Sequence, residues 1–367
     1  MVVSNMRAGG ATRLQDLLGI ELPVIQAPMA GVQGRALALA VCDAGGLGSL
    51  PGAMLDAETL RTEVRAIRAA TSRPFNVNFF CHTPPRPDPE REAGWRARLA
   101  GYFVELGIDA DAPAVGPARM PFSEQTAALL EEFEPPIVSF HFGLPAPDLV
   151  ERVRRWGAKI LSSATTVEEA RWLAARGVDA VIAQGVEAGG HRGSFLSDEL
   201  NNQVGTFALV PQIVDAVDIP VIAAGGIADV RGLGAALALG AVGVQVGTAY
   251  LLCPEATTSA VHRAALKSEA ASTTALTNLF SGRPARGIVN RLMREQGPMN
   301  AAAPSFPLAA QAIAPLRAKA EAEGRGDFSP LWAGQNARSC REIGAADLTC
   351  ALAGQRPGSL AAPPPSG

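Results

Sequence analysis

Residues 220–248 read PVIAAGGIADVRGLGAALALGAVGVQVGT. Pro220–Gly226 is a short apolar run closed by two glycines, and Ala241–Thr248 is another, closed by Gly247 and Thr248. Between them, Asp229–Gly240 carries Ala and Leu at helical spacing, with Asp229 as N-cap and glycine as the stop. Both strands are apolar throughout rather than alternating, the pattern of parallel strands buried on two faces.

The same unit recurs toward the N-terminus. Val24–Met29 (VIQAPM), Gly46–Leu50 (GLGSL), Pro74–Phe80 (PFNVNFF), Ile137–Phe142 (IVSFHF), Lys159–Ala164 (KILSSA) and Ala180–Gly185 (AVIAQG) read as six further strands. Thr166–Gly177 (TVEEARWLAARG) repeats the helix design. Eight strand–helix units predict an α/β fold, a closed (β/α)8 TIM barrel. An open doubly wound sheet is the alternative; a site at units six to eight favours closure.

The barrel is expected over residues 14–250, with a Pro-rich and then charged insertion, 81–121, forming loop plus helix near the mouth. Residues 251–350 read as a mainly helical extension packed on the barrel, with loops at GRPARG (282–287) and GPMNAAAPSFP (297–307). The low-complexity tail 351–367 reads as disordered. No second core is evident, so the chain is taken as one domain with additions.

Composition excludes several roles. Charged residues make up 18% of the chain and the net charge is −3, which leaves no electrostatic footprint for nucleic acid or a membrane surface. No apolar run is long enough for a membrane span, and the N-terminus lacks the order of a secretory signal. Cys42, Cys81, Cys253, Cys340 and Cys350 are scattered, without a CxxC pair. A reducing cytoplasm is therefore expected, with no disulfide framework and no metal.

In barrels, the loops after strands seven and eight form the usual phosphate site. Gly225 and Gly226 expose backbone N–H groups at a helix start; Gly247 permits close approach and Thr248 adds a hydroxyl. Either turn alone could be a plain tight turn; their adjacency points to phosphate. A Rossmann fingerprint is absent.

After strand six comes QGVEAGGHRGSF, residues 184–195. Gly189 and Gly190 let the chain fold tightly and place His191 at the catalytic rim, where an imidazole can exchange protons near neutral pH. The alternative is a loop histidine bonded only to backbone. Arg192 is either an anion contact or a solvated surface arginine. His141, at the end of strand four, is a second wall of the substrate pocket or a satisfied core histidine; His82 and His262 have no supporting context. Asn78 and Gln184 end strands with neutral amides suited to the edge of a flavin ring, and Gln26 reads the same way. Ala27, Pro28 and Met29 make an apolar shelf for a flat ring, and Trp332 and Gln335 could fold back over it.

Taken together, QAPMAG (26–31), NVNFF (76–80), SFHFG (139–143), QGVEAGGHRG (184–193), PVIAAGGIAD (220–229), GVQVGT (243–248) and LWAGQ (331–335) resemble the nitronate monooxygenase family. The resemblance implies an FMN-dependent barrel acting on a nitronate or nitroalkane with O2, and a homodimer is an allowed assembly. It implies FMN contacts from Asn78, Gln184, Gly189, Gly226 and Gln245, Val246, Gly247 and Thr248, with His191 taking the α-proton of a neutral nitroalkane. Some members bring tyrosines and a lysine to the substrate; this chain has only Tyr102 and Tyr250, with Phe306 where a tyrosine is expected. An FMN-dependent NAD(P)H reductase, of enoyl-acyl-carrier-protein or quinone type, is the competing reading. A flavin-binding scaffold and a phosphate-sugar isomerase are more distant ones.

Overall fold

The computed structural model describes residues 13–109 and 119–355. Their strands, in chain order, are β1 (Val24–Gln26), β2 (Gly48–Pro51), β3 (Phe75–Phe80), β4 (Ile137–His141), β5 (Lys159–Ala164), β6 (Ala180–Gln184), β7 (Gly190–His191), β8 (Val221–Ala224), β9 (Gly243–Val246), β10 (Thr274–Thr277) and β11 (Ala285–Ile288). Eight of them form one sheet ordered β1-β9-β8-β6-β5-β4-β3-β2, with every pair parallel. A parallel bridge between Ile25 and Leu47 joins its ends, where the Gln26 N–H donates to Leu47 O at 2.9 Å. The expected barrel is closed, and the open sheet is excluded.

The continuous apolar runs resolve into two alternating sets. Ile25, Ile137, Leu161, Ile182 and Ile222 meet across the barrel interior with Leu14 and Leu18. Their neighbours Val24, Val138, Ile160, Val181, Val221 and Val244 pack outward in the larger cluster that includes the surrounding helices. The period of two is present but carries no polar mark, because both faces are dry. Asp229 caps the helix Val230–Ala238 by accepting from the Arg231 and Gly232 N–H groups, as its position predicts. A Cβ at Gly243 would lie 2.4 Å from Leu14 Cδ2, so only glycine lets helix Leu14–Leu18 seat against the start of β9.

Two expectations are corrected. Residues 251–350 are not helices and loops alone: β10 and β11 form an antiparallel hairpin, and β11 pairs with β7 through Ala285↔His191 and Arg286↔Gly190. Part of GRPARG, read as a loop, is thus a strand; a two-residue partner gives no periodic signal. The additions also share an apolar cluster. Helix Pro89–Leu106 of the insertion buries Trp95, Leu99 and Phe103 against Leu279, Ile313, Leu316 and Phe328 of the extension. At the far end, helix Ala345–Leu352 crosses position 351; residues 356–367 and 110–118 lie outside the described residues.

Candidate active site

A single cavity opens at the carboxyl ends of the barrel strands and gathers most of the predicted residues. Ala27, Pro28, Met29, Asn78, His141, Gln184, Gly189, Gly190, His191, Gly225, Gly226, Gln245, Gly247, Thr248 and Trp332 all line it. Val246 does not: it is 1% exposed and belongs to the outward core, because its neighbours Gln245 and Gly247 take the opposite side of the strand. Gln335 is exposed and absent from the lining, and Asn336 takes its place, donating from Nδ2 to Gly226 O at 2.9 Å.

The phosphate-type end is built from backbone. Gly225 and Gly226 have φ of 123° and 71°, the left-handed region that costs other residues strain. A Cβ at Gly225 would stand 2.7 Å from Thr206 Oγ1. Thr248 Oγ1 accepts from Gly334 N–H at 3.0 Å, keeping its hydrogen to donate. Behind this end, the Glu187 carboxylate caps the helix Thr206–Ala216, accepting from Thr206 N–H and Oγ1 at 2.8 and 2.9 Å.

The reactive end is built from side chains brought from far apart. His191 Nε2 lies 2.9 Å from Ser281 Oγ. Rings of Phe306, Trp332, Phe142 and Phe80 stand 5.3, 5.5, 6.1 and 6.3 Å from its imidazole. This enclosure pushes the His191 pKa well below its ordinary value, and the nearby Arg119, His141, Arg283 and His82 act in the same direction. The imidazole is neutral and able to accept a proton.

Its loop is fixed by a network. Gln184 Nε2 donates to His191 O at 3.0 Å while its Oε1 accepts from Gly193 N–H at 2.8 Å. The predicted flavin-edge amide is therefore also the clamp of the histidine loop. His141 Nε2 lies 3.3 Å from His191 O and its Nδ1 2.7 Å from Ser163 Oγ. Burial, with Arg283 beside it, brings His141 down to about 3, so it is a neutral wall with both nitrogens engaged. Arg192 fits neither sequence alternative. It is fully buried and donates to Gly185 O and Gln184 O, both at 2.7 Å, bracing the turn from below. Gln26 is likewise internal: its amide bonds Gln33 at 2.6 Å and accepts from Ser49 N–H at 3.0 Å.

Two buried atoms bear on what the cavity holds. Among the described residues, Gln245 Oε1 and His262 Nε2 have no hydrogen-bond partner, and both residues line the cavity. Buried polar groups without partners are rare and costly. A flat heteroaromatic ring with N–H and acceptor edges would satisfy such atoms, and a phosphate would satisfy the bare glycine turns, so the residues present are of the kind that fit a flavin mononucleotide. No group of His, Cys, Asp or Glu among the described residues could hold a metal.

A family model described as nitronate monooxygenase matches residues 11–353. The chain belongs to the nitronate monooxygenase family. A nitronate monooxygenase of Pseudomonas aeruginosa is 46% identical over 92% of this chain and 96% of its own length. One from Paraburkholderia phytofirmans is 43% identical over 94% of each. The solved nitroalkane oxidase of Streptomyces ansochromogenes superposes with a TM-score of 0.84 at 41% identity, covering 93% of this chain and 97% of that one. FabK from Thermotoga maritima superposes less well, at 0.66 and 26% identity, over 94% and 95%.

Within this nitronate monooxygenase fold, sequence reasoning missed Arg119, Ser281, Asn336 and His262. None sits in a motif, and each arrives from an addition to the barrel. His262 had a findable signal, being one of only four histidines in the chain.

Proposed function

We propose that this chain oxidises alkyl nitronates with O2 to a carbonyl compound and nitrite, using FMN, and reaches neutral nitroalkanes through proton removal by His191. The observation that carries this reading is the setting of His191: a neutral imidazole, walled by aromatic rings, in the same cavity as the glycine turns of β8 and β9. FMN, when bound, supplies the electron acceptor for the nitronate and passes the electrons to O2.

The chain's own residues do the rest. Gly225, Gly226, Thr248 and Asn336 would hold the phosphate, and Gln245 Oε1 would accept from a ring N–H. Ala27–Met29 and Trp332 would confine the ring, with Asn78, Gly189 and Gln184 beside it. His191 takes the α-proton of a neutral substrate; a substrate already deprotonated needs no base. The aromatic enclosure keeps water from competing for that proton.

The stronger likeness to nitroalkane oxidase than to FabK favours this reading over a nicotinamide-dependent reductase. The test is a yellow preparation that takes up O2 and releases nitrite with ethyl nitronate, and whose flavin is bleached anaerobically by the nitronate. Bleaching by NADH and not by nitronate would overturn it. A preparation that stays colourless with added FMN would remove the flavin altogether.

A further inference from the structure

Arg119 is the one charged side chain among the described residues that line the cavity. Among the described residues no ion pair or side-chain hydrogen bond engages it, and the charge among them that acts on it, Arg317, is also positive. It stands at the reactive end. The His82 ring lies beside the Arg119 backbone and packs edge-on against Phe306 at 4.8 Å, itself 5.3 Å from His191. A second cation nearby, Arg283, is not among the residues lining the cavity; it donates to Ser194 O and lies 4.2 Å above the Phe142 ring. A largely buried guanidinium with no counter-ion among the described residues is costly until an anion arrives.

We infer that Arg119 is the anion-recognition residue of this pocket and binds the two oxygens of the nitronate head. A nitronate spreads its charge over two coplanar oxygens, which match the planar guanidinium fork in a bidentate contact. The inference rests on the nitronate reading above. Arg119 acts on the two substrate forms in different ways. For a preformed nitronate it supplies attraction on binding. For a neutral nitroalkane it stabilises the anion as it forms, while its own charge makes His191 harder to protonate.

The test compares wild type with Arg119→Met and Arg119→Lys, each purified with its flavin. Nitrate, a planar anion of the same shape as the head, is titrated by calorimetry, and KM is measured in air for ethyl nitronate and for neutral nitroethane. Arg119→Met should weaken nitrate binding and raise the ethyl nitronate KM by about tenfold or more, the scale of a lost charged hydrogen bond. Arg119→Lys should recover part of both. The nitroethane KM should change less, while the apparent pKa of its kcat/KM moves upward, because a cation facing His191 has gone. A purely structural role would not move that pKa.

Unchanged nitrate binding and unchanged ethyl nitronate KM in Arg119→Met overturn the inference. If Arg119→Met does not fold, the same two readings in Arg119→Gln decide. A loss seen with propionate 3-nitronate but not with ethyl nitronate would place Arg119 on the substrate's tail and also defeats the assignment. Wild type that fails to oxidise any nitronate defeats the proposed function instead, and the nitrate titration still judges Arg119.

Discussion

The two ends of the cavity are made by different means. At one end, backbone turns at Gly225–Gly226 and Gly247–Thr248 come from a single stretch of about thirty residues, and no lining side chain there is charged. At the other, His191 is held by Ser281, Phe306 and Trp332, from the far side of the chain, with Arg119 from the insertion. A site made of backbone is written locally, because it needs only glycine and a strand end. A site made of side chains depends on where distant elements pack.

The largest expected effect breaks the reactive end alone. His191→Asn should cut turnover of neutral nitroalkanes by about 10²-fold or more, the scale of lost proton transfer, with nitronate oxidation and flavin retention much less affected. Steady-state rates with nitroethane and ethyl nitronate check it; equal losses on both would deny His191 the role of base. The matching change at the other end is Gly225→Ala. Backbone strain at a φ of 123° and a Cβ 2.7 Å from Thr206 Oγ1 should weaken FMN binding by about tenfold or more. Flavin released on dilution measures it, and wild-type retention would free that turn from the phosphate.

Legibility followed the same division. The eight strands and the two glycine turns could be read because burial on both faces and strand ends leave marks within a few residues. Asn336 lines the cavity where Gln335 was expected, since a loop carries no periodicity to fix which side chain turns inward. Val246 was taken in with Gln245 and Gly247 because a motif names consecutive residues, while a strand sends alternate ones to opposite faces. Arg119 and Ser281 left no mark at all: nothing near them in sequence says that they meet a histidine.

pH sharpens the comparison further. Burial first, with neighbouring arginines adding to it, pulls His82, His141 and His262 down to about 4, 3 and 4, from an ordinary value of 6.5. The unfolded chain therefore binds more protons than the fold between those values and 6.5, so stability rises with pH across that window. Thermal melting should fall as pH drops from 7 toward 4, and a melting temperature that is flat there would contradict the neutral assignment. The smallest effect separates neighbours: Asn336→Ala should weaken FMN binding severalfold, the scale of one hydrogen bond, while Gln335→Ala should leave it as it was. Fluorescence titration with FMN distinguishes them.

The pairing of Ala285 with His191 gives the C-terminal third of the chain an unexpected standing. The imidazole hangs between two frames, with Gln184 of the barrel gripping its carbonyl and β11 of the hairpin setting its register. Neither frame alone fixes its aim. Drift in the hairpin, however remote from the eight staves, reaches the imidazole in one step.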